Sequence, residues 1–338
     1  MNEACAAAFA AWGLTPALWG LTPASWGQTP VFTWLFAAAC AAITWSCAVC
    51  AEPLPDFQIE NPAPGVYVHY GEQAEMTPAN AGDIANLGFV VGDRCVAVID
   101  TGGTYAVGRA LRLAIRRVTS KPVCYVINTH VHPDHVFGNA AFADDAPVFV
   151  GHATLAQSLR RRGPNYLNAL TRDLGAVAAG SALVSPTHAV ASDERLDLGG
   201  RSLGVRAWKT AHTDGDLTVF DESSGTLWLG DLCFVGHLPV VDGSLRGFLS
   251  AIRELRTVTA QRVVPGHGRA AAWPAAIAPQ ARYLERLLAD VRAALAAGTP
   301  LAQAIDGVGY DAAERWLLAD RFHKRNVTAA YAELEWDE

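Results

Sequence analysis

Basic residues are scarce in this sequence of 338 residues, which contains 26 Lys and Arg against 33 Asp and Glu and has a net charge of −7 at pH 7. Proteins that bind nucleic acid usually present a basic face, so this balance argues against nucleic acid as a partner. Charged residues of both signs make up only 17% of the chain, and hydrophobic residues make up 51%. This composition predicts a globular protein with a large buried core.

The N-terminal part of the sequence lacks Lys and Arg entirely, and the first basic residue of the chain is Arg94. Residues 1–30 form a low-complexity segment in which Trp-Gly-Leu-Thr-Pro or a close variant recurs at Trp12, Trp19 and Trp26. Three such short copies are too few for a repeat fold, and prolines at this spacing prevent a continuous helix. A start codon assigned too far upstream would explain this segment.

Residues 31–51 predict the apolar and cleavage regions of a secretory signal, because an apolar run ends in the small residues Val49-Cys50-Ala51. The basic residues that normally precede such a run are missing. An uncleaved membrane anchor is the alternative, since the run approaches the ~20 residues that span a bilayer. Cleavage predicts a periplasmic protein without stable membrane association, with its functional domain and C-terminal helices in residues 52–338.

Three cysteines follow the predicted leader. Cys95 and Cys124 lie in apolar, strand-like runs, which is typical of buried packing residues. A disulfide between them is the alternative in the periplasm, and sequence alone does not give the geometry that would decide it. Cys233 stands two residues after an Asp-containing strand end, where a core position is favoured over an approach to a metal site.

Residues 129–135 read Thr-His-Val-His-Pro-Asp-His, which places three histidines and a carboxylate within seven positions. Imidazole and carboxylate ligands suit zinc, with iron or manganese as alternatives. Pro133 restricts the backbone and removes an amide donor, which predicts a stiff loop rather than a helix face. A polar loop that contains histidines by chance is the competing interpretation, but such dense clusters are uncommon.

This motif resembles the His-x-His-x-Asp-His signature of the metallo-β-lactamase superfamily. The resemblance implies three further ligands downstream, and the sequence contains matching residues in the expected order at His212, Asp231 and His267. It also implies two metal ions, most simply two Zn²⁺. One ion would be held by His130, His132 and His212, and the other by Asp134, His135 and His267, with Asp231 bridging them. The implied fold is an α+β, four-layer αβ/βα sandwich with the metals at one end.

The patterns of the mature chain agree with that fold. Residues 87–91 and 95–100 predict a hairpin around a Gly-Asp turn, residues 105–118 a helix, and residues 123–128 a buried strand that leads to the histidine loop. Residues 155–174 predict a helix broken at Gly163-Pro164. Its run of Arg160, Arg161 and Arg162 is typical of a solvated helix face, and substrate binding is the alternative. The helical residues from 274 onward predict packing against the sandwich rather than chemistry.

A more specific resemblance covers about Pro55 to Glu335. The segment Gly236-His237-Leu-Pro-Val-Val-Asp242-Gly-Ser is similar to one in the quinoprotein relay system zinc metallohydrolases and in related hydrolases associated with sulfur oxidation. The closing stretch from Arg325 is also similar to that group. His237 would then contact substrate or support the metal site, and a structural role in its loop is the alternative. The group's link to quinone-cofactor dehydrogenases is an association and names no substrate.

These expectations together describe a periplasmic dinuclear zinc hydrolase of a small ester, thioester or lactone. Metal-bound hydroxide would attack the carbonyl, while Asp134 steers the proton and Asp231 bridges the ions. Three alternatives remain: a β-lactamase, although such members generally lack the bridging carboxylate; a mononuclear iron dioxygenase of a sulfur substrate; and an accessory protein that binds a metabolite without turnover. Metal-dependent turnover separates the last of these from the enzymes.

Overall fold

Two mixed β-sheets form the centre of the computed structural model, which describes residues 57–336. The first sheet has the order β1 to β7, with strands Glu60–Ala63, Val66–His69, Leu87–Val91, Val96–Ile99, Val123–Ile127, Val148–His152 and His188–Val190. The second has the order β13-β12-β11-β10-β9-β8. Its strands β8 to β13 are Asp193–Asp197, Ser202–Ala207, Leu217–Asp221, Thr226–Phe234, Arg262–His267 and Ala271–Ala272.

Helices cover both outer faces of this pair of sheets. In chain order, helices α1 to α8 are Tyr105–Val118, Pro133–Val136, Leu155–Leu174, Leu245–Leu255, Ala278–Ala296, Leu301–Gly307, Tyr310–Ala313 and Ala319–Leu334. Short 3-10 segments occupy Phe137–Asp145, Gly175–Ala178 and Ala275–Ile277. Within residues 57–336, none of the helices combines the length and the apolar character needed to cross a membrane.

Three hydrophobic clusters separate four layers. Between the sheets, side chains of the first sheet such as Val90 pack against side chains of the second such as Val219. On the outer face of the first sheet, Leu111 of α1 contributes to a second cluster. On the outer face of the second sheet, Phe248 of α4 and Leu284 of α5 contribute to the third. This arrangement confirms the predicted α+β, four-layer αβ/βα sandwich, because each sheet buries one face on its partner and the other on helices.

The elements that lead to the histidine motif follow the sequence patterns closely. Strands β3 and β4 form the predicted antiparallel hairpin, and β4 pairs in parallel with β5. Helix α1 begins where Thr104 accepts a hydrogen bond from the amide of Val107, and it ends at Val118 as predicted. Because β4 and β5 run in parallel, the residues that follow each strand emerge at the same edge of the sheet, beside each other.

Helix α3 runs without interruption from Leu155 to Leu174, so the predicted break at Gly163-Pro164 is wrong. A proline inside a helix costs roughly 3 kcal/mol because it removes a hydrogen bond and clashes with the preceding turn. Buried side chains on both sides of Pro164 hold the two halves in line. Leu159 packs against Val136, and Leu170 packs against Phe137, next to the histidine motif.

The cysteines of the described residues divide into one pair and one free thiol. Cys95 and Cys124 form a disulfide with a Cα–Cα distance of 5.8 Å, which joins the start of β4 to β5. The interpretation of both as packing residues is therefore incomplete, and the alternative is correct. Cys233 is buried in the cluster behind the second sheet, as its favoured core position predicts. The predicted leader, residues 1–51, lies outside the described residues.

Candidate metal centre

The candidate ligands converge at one end of the sandwich, where strands from both sheets finish. His130 and His132 lie on the segment after β5, His212 lies on the loop between β9 and β10, and His267 is the last residue of β12. Asp231 lies inside β11, at an irregularity where its pairing with β12 shifts near Gly230. The irregularity turns the carboxylate out of the strand toward the histidines.

The histidine motif combines an extended segment with one helical turn. His132 has extended dihedral angles and directly precedes α2, in which Pro133 occupies the first turn. The predicted loop is correct for His130 and His132, but Asp134 and His135 lie on the helical turn. Proline is well tolerated there because the first amides of a helix have no intrahelical partner.

The first group consists of three imidazoles and one carboxylate. Nδ1 of His132 lies 3.1 Å from Nε2 of His130 and 3.0 Å from Nε2 of His212. One oxygen of Asp231, Oδ2, lies 3.3 Å from Nε2 of His212. These four ligand atoms all lie within 4.8 Å of one another, which is the spacing required to surround a single cation.

The second group consists of Asp134, His135 and His267, whose ligand atoms also lie within 4.8 Å of one another. Oδ2 of Asp134 lies 3.5 Å from Nε2 of His135 and 3.4 Å from Nε2 of His267. The other oxygen of Asp231, Oδ1, lies 3.3 Å from His135 and 3.4 Å from His267. Asp231 therefore directs one oxygen to each group.

Two buried atoms inside this arrangement have no hydrogen-bond partner among residues 57–336: Nε2 of His135 and Oδ1 of Asp231. Unsatisfied buried polar atoms are rare in folded proteins because leaving one unpaired costs about 1–3 kcal/mol. A cation between Asp231 and the second group would satisfy both atoms. The donor set thus fits metal ions, and the carboxylate between the groups suits a pair of them.

Hydrogen bonds on the far side of each ring orient the imidazoles. Nδ1 of His212 donates to the carbonyl of Val240 at 2.7 Å, and Nδ1 of His267 donates to the carbonyl of Ile84 at 2.9 Å. Each bond places the ring proton on the outer nitrogen. In the neutral ring the inner nitrogen then presents a lone pair to the centre, as a metal ligand must.

Asp100 orients histidines of both groups, and sequence reasoning missed this role. Its carboxylate accepts hydrogen bonds from Nδ1 of His135 at 2.8 Å and from the hydroxyl of Thr129 at 2.7 Å. That hydroxyl lies 3.0 Å from Nδ1 of His130, from which it can accept in turn. Asp100 has a φ of 55° at the end of the β4 strand. The sequence did contain one indication of this role. Asp100 directly follows β4, which pairs in parallel with β5, so it emerges beside the histidine motif.

Comparison with known proteins agrees with this geometry. The family model of the metallo-β-lactamase superfamily matches residues 81–267, more than half of the chain. The chain belongs to the metallo-β-lactamase superfamily. The matched residues extend from the loop before β3 to the ligand candidate His267 and include all seven candidate ligands. A search of curated proteins found no match to the sequence.

Solved structures from this superfamily share the fold. TMB-1 is 19% identical, with a TM-score of 0.54 over 68% of this chain and 98% of that chain. The metallo-beta-lactamase from Pontibacter korlensis is 18% identical, with a TM-score of 0.54 over 68% of this chain and 99% of its own. The metallo beta lactamase from Erythrobacter litoralis is 18% identical, with the same TM-score, over 68% and 97%. At this identity the likeness shows the fold alone.

Burial and neighbouring charges shift the pKa values of the candidate ligands in different directions. Burial lowers the pKa of His212 to about 4, so this imidazole is neutral at pH 7. Burial also opposes the charged form of His267, but the charge of Asp231 and the hydrogen bond to Asp134 prevail and raise its pKa to about 9. A cation that binds Nε2 of His267 at pH 7 must therefore displace a proton from it. Burial would raise the pKa of Asp231, yet the surrounding histidines hold it well below its usual range. Asp231 therefore carries its negative charge at neutral pH.

A cavity of about 400 Å³ opens above the two groups. Its floor contains candidate ligands, including His132 and Asp231. One wall comes from α3 through Tyr166, Leu170 and Leu174, and another comes from α8 through Arg321, Phe322 and Arg325. The sequence predicts that the C-terminal helices pack rather than take part in chemistry; α8 does pack against the second sheet's helices, and it also supplies part of the cavity wall.

His237 lies in the wall of this cavity, close to the second group. Its ring stacks on that of His267 with a centroid distance of 4.9 Å, and its Nδ1 donates to the carbonyl of Leu238 at 2.6 Å. Burial lowers the pKa of His237 to about 4, which leaves the ring neutral at pH 7. The structure thus places the predicted substrate-binding residue beside the candidate metal centre.

Arg162 contacts the site, although the interpretation favoured from the sequence placed its whole run on a solvated helix face. Its guanidinium donates to the carboxylate of Asp242 and, at 3.3 Å, to the hydroxyl of Tyr166. The predicted solvated face describes Arg161, whose side chain is 59% exposed, but not Arg162, whose side chain is 26% exposed. Helical geometry explains the difference, because consecutive residues of a helix point in different directions.

Proposed function

We propose that this protein is a periplasmic dinuclear zinc hydrolase that acts on a small ester, thioester or lactone. The observation that carries the proposal is the position of Asp231, with one oxygen facing each of two compact ligand groups. A single ion would leave the second group without a function, although its three ligand atoms lie within 4.8 Å of one another. This completeness favours a dinuclear hydrolase over a mononuclear iron dioxygenase and over a metabolite carrier.

The assignment of ligands follows the two groups. His130, His132 and His212 would hold one ion, Asp134, His135 and His267 would hold the other, and Asp231 would bind both. Bound zinc would polarise a substrate carbonyl and promote ionisation of water near pH ~7. Imidazole and carboxylate donors suit zinc, and they also accept iron or manganese.

The chain's own residues would position and protect the reacting groups. Asp134 projects into the cavity beside His267 and would hold the proton released during attack. The apolar wall of Leu170, Leu174 and Phe322 would exclude bulk water from the carbonyl. The cavity volume of about 400 Å³ lies in the range of small-molecule sites.

The finer assignment to the quinoprotein relay and sulfur-oxidation group rests on the segment from Gly236 to Ser244. In the structure this segment supplies the carbonyl of Val240 to His212 and the carboxylate of Asp242 to His132. Its contact with two candidate ligands supports a role for the segment in the site. A functional link to quinone-cofactor dehydrogenases rests on the resemblance alone.

The periplasmic location rests on the predicted leader and on the disulfide between Cys95 and Cys124. Disulfides persist in oxidising compartments and are rare in the cytosol, so this bond supports export. A small-molecule substrate is the only partner that the proposal requires, and the net charge of −7 argues against nucleic acid.

Metal analysis and a substrate panel on one preparation test the proposal. The purified protein is analysed for zinc, iron and manganese and is assayed with thioesters, lactones and a chromogenic cephalosporin. The expected result is about two zinc ions per chain with turnover of an ester-type substrate. Asp231→Ala should lose turnover and bind less zinc, whereas Asp197→Ala, which removes an exposed carboxylate paired with Arg94, should behave like the wild type.

Other outcomes of these assays would support one of the alternative functions. One iron per chain with oxygen consumption would replace the hydrolase with a dioxygenase. Turnover of the cephalosporin alone would identify a β-lactamase. Stoichiometric uptake of a metabolite without metal-dependent turnover would indicate an accessory protein.

A further inference from the structure

The charged groups in the cavity wall are nearly all paired. Glu75 lies 2.5 Å from the guanidinium of Arg321, and Asp242 is bound by Arg162. Asp173 is paired with its neighbour Arg172 at 2.7 Å. Asp134 and Asp231 face the candidate metal groups. These pairs leave one charged side chain of the wall, Arg325, to be accounted for.

Arg325 has no anionic partner within residues 57–336. Its guanidinium lies 5.6 Å from the centroid of the Phe322 ring, and it forms neither an ion pair nor a side-chain hydrogen bond with the described residues. Arg321, one helical turn earlier on the same cavity-facing side of α8, is paired with Glu75. Arg325 is therefore the cation of this wall whose hydrogen-bond donors remain available to a ligand.

A continuous aromatic surface connects Arg325 to the candidate metal centre. The ring of His267 stacks on His237, and the ring of His237 lies 5.4 Å from that of Phe322. Phe322 in turn lies beneath the Arg325 guanidinium. Leu170 and Leu174 of α3 also line the cavity. A ligand that reaches from the metal groups to Arg325 thus passes along an apolar wall.

We infer that the substrate carries a carboxylate at the end of a short apolar acyl chain and that Arg325 binds this carboxylate while the metal centre receives the scissile carbonyl. This inference rests on the proposed hydrolase function and adds the substrate class. One unpaired guanidinium matches the single charge of a carboxylate, and its planar fork can donate two parallel hydrogen bonds to it. The surrounding carboxylates and the net charge of −7 would otherwise disfavour an anion at this position.

A matched pair of thioesters tests the inference on the zinc-loaded full chain. The monophenyl thioester of glutaric acid and the phenyl thioester of valeric acid have five-carbon acyl chains and differ in the terminal group, a carboxylate or a methyl. The wild type should prefer the glutaryl thioester by about tenfold in kcat/KM, mainly through KM, which is the size expected for one charge-assisted hydrogen-bonded pair. The preference should weaken as the salt concentration rises.

Substitution of the arginine assigns the preference to one side chain. Arg325→Gln should lower kcat/KM for the glutaryl thioester much more than for the valeryl thioester, so that the preference is lost, and Arg325→Lys should retain part of it. Lys324→Gln is the matched control, because Lys324 carries the same charge on the same helix and is paired with Asp306 at 2.6 Å, outside the cavity. This control should keep the full preference.

Three results would overturn the inference, and they differ from a failure of the proposed function. Equal turnover of the two thioesters, an unchanged preference in Arg325→Gln, or an equal loss on both substrates in that variant would each contradict it. If the wild type hydrolyses neither thioester, that result counts against thioesters as the substrates of the proposed hydrolase and not against an anion site at Arg325. Calorimetric titration with glutarate then decides the anion site by itself, since weaker binding by Arg325→Gln than by the wild type supports it and equal binding contradicts it.

Discussion

Asp242 accepts a hydrogen bond from Nε2 of His132 at 3.1 Å and so holds this imidazole with Nδ1 turned toward His130 and His212. The same carboxylate is bound by Arg162 of helix α3. A helix that lines the substrate cavity is thereby connected to a candidate metal ligand. The orientation of His132 consequently depends on two other parts of the chain, the segment that carries Asp242 and helix α3.

Removal of the Asp242 side chain should weaken zinc binding. Asp242→Ala deletes the acceptor for His132 and leaves Arg162 without its carboxylate, so we expect a loss of zinc affinity of about 10–100-fold. Asp242→Asn keeps an acceptor oxygen and should lose less. Competition with a chromophoric chelator measures the affinity. Arg161→Gln, which removes a mostly exposed arginine, serves as the control, and wild-type affinity in Asp242→Ala would refute the role.

Asp100→Asn should lower zinc affinity without unfolding the protein. Asparagine tolerates the positive φ of 55° at this position, so the strand end should keep its conformation. The substitution removes the negative charge that holds His135 and Thr129, and we expect an affinity loss of about 10–100-fold. Circular dichroism checks the fold, and chelator competition checks the metal. An unchanged zinc affinity would show that Asp100 stabilises only the backbone at the end of β4.

The disulfide between Cys95 and Cys124 should be present in the protein isolated from the periplasm. Peptide mapping without reduction should find the two cysteines in linked peptides. The double variant Cys95→Ala, Cys124→Ala should lose about 2–4 kcal/mol of unfolding free energy in urea, because the bond restricts the unfolded chain. Recovery of both cysteines as alkylated thiols from unreduced protein would contradict the prediction.

Cys233 should be unreactive in the folded protein and should not bind the metals. Burial and, secondarily, the charge of Asp231 raise the pKa of this thiol to about 12, so the reactive thiolate is scarce at pH 8. Iodoacetamide should label Cys233 only after unfolding, which mass spectrometry of its peptide detects. Cys233→Ala should keep the zinc content of the wild type. Rapid labelling in the native state, or loss of zinc in the variant, would place the thiol at the site instead.

Local patterns accounted for the elements that build the centre. The hairpin of β3 and β4, helix α1 and strand β5 occur within a residue or two of their predicted positions, because apolar periodicity and turn residues act over short distances. The break in α3 was predicted wrongly for the same reason. The packing of Leu159 and Leu170 outweighed the helix-breaking propensity of Pro164. A pattern of neighbouring residues in the sequence does not reveal such tertiary packing.

The motif at residues 129–135 and the order of the later motifs can be recognised in the chain before it folds. The resemblance to the superfamily that they carry implied the fold class and the set of histidines and aspartates that gather. Tertiary structure decided which residues orient and surround that cluster. Asp100 and Arg162 belong to no recognised motif, and their contacts with the cluster arise only where a strand end and α3 meet at one cavity. The resemblance of the stretch from Arg325 named no role for this residue, and its place in the cavity wall depends on the position of α8. Hydrogen bonds and charge pairing act through space, so their partners become defined only once the chain has folded.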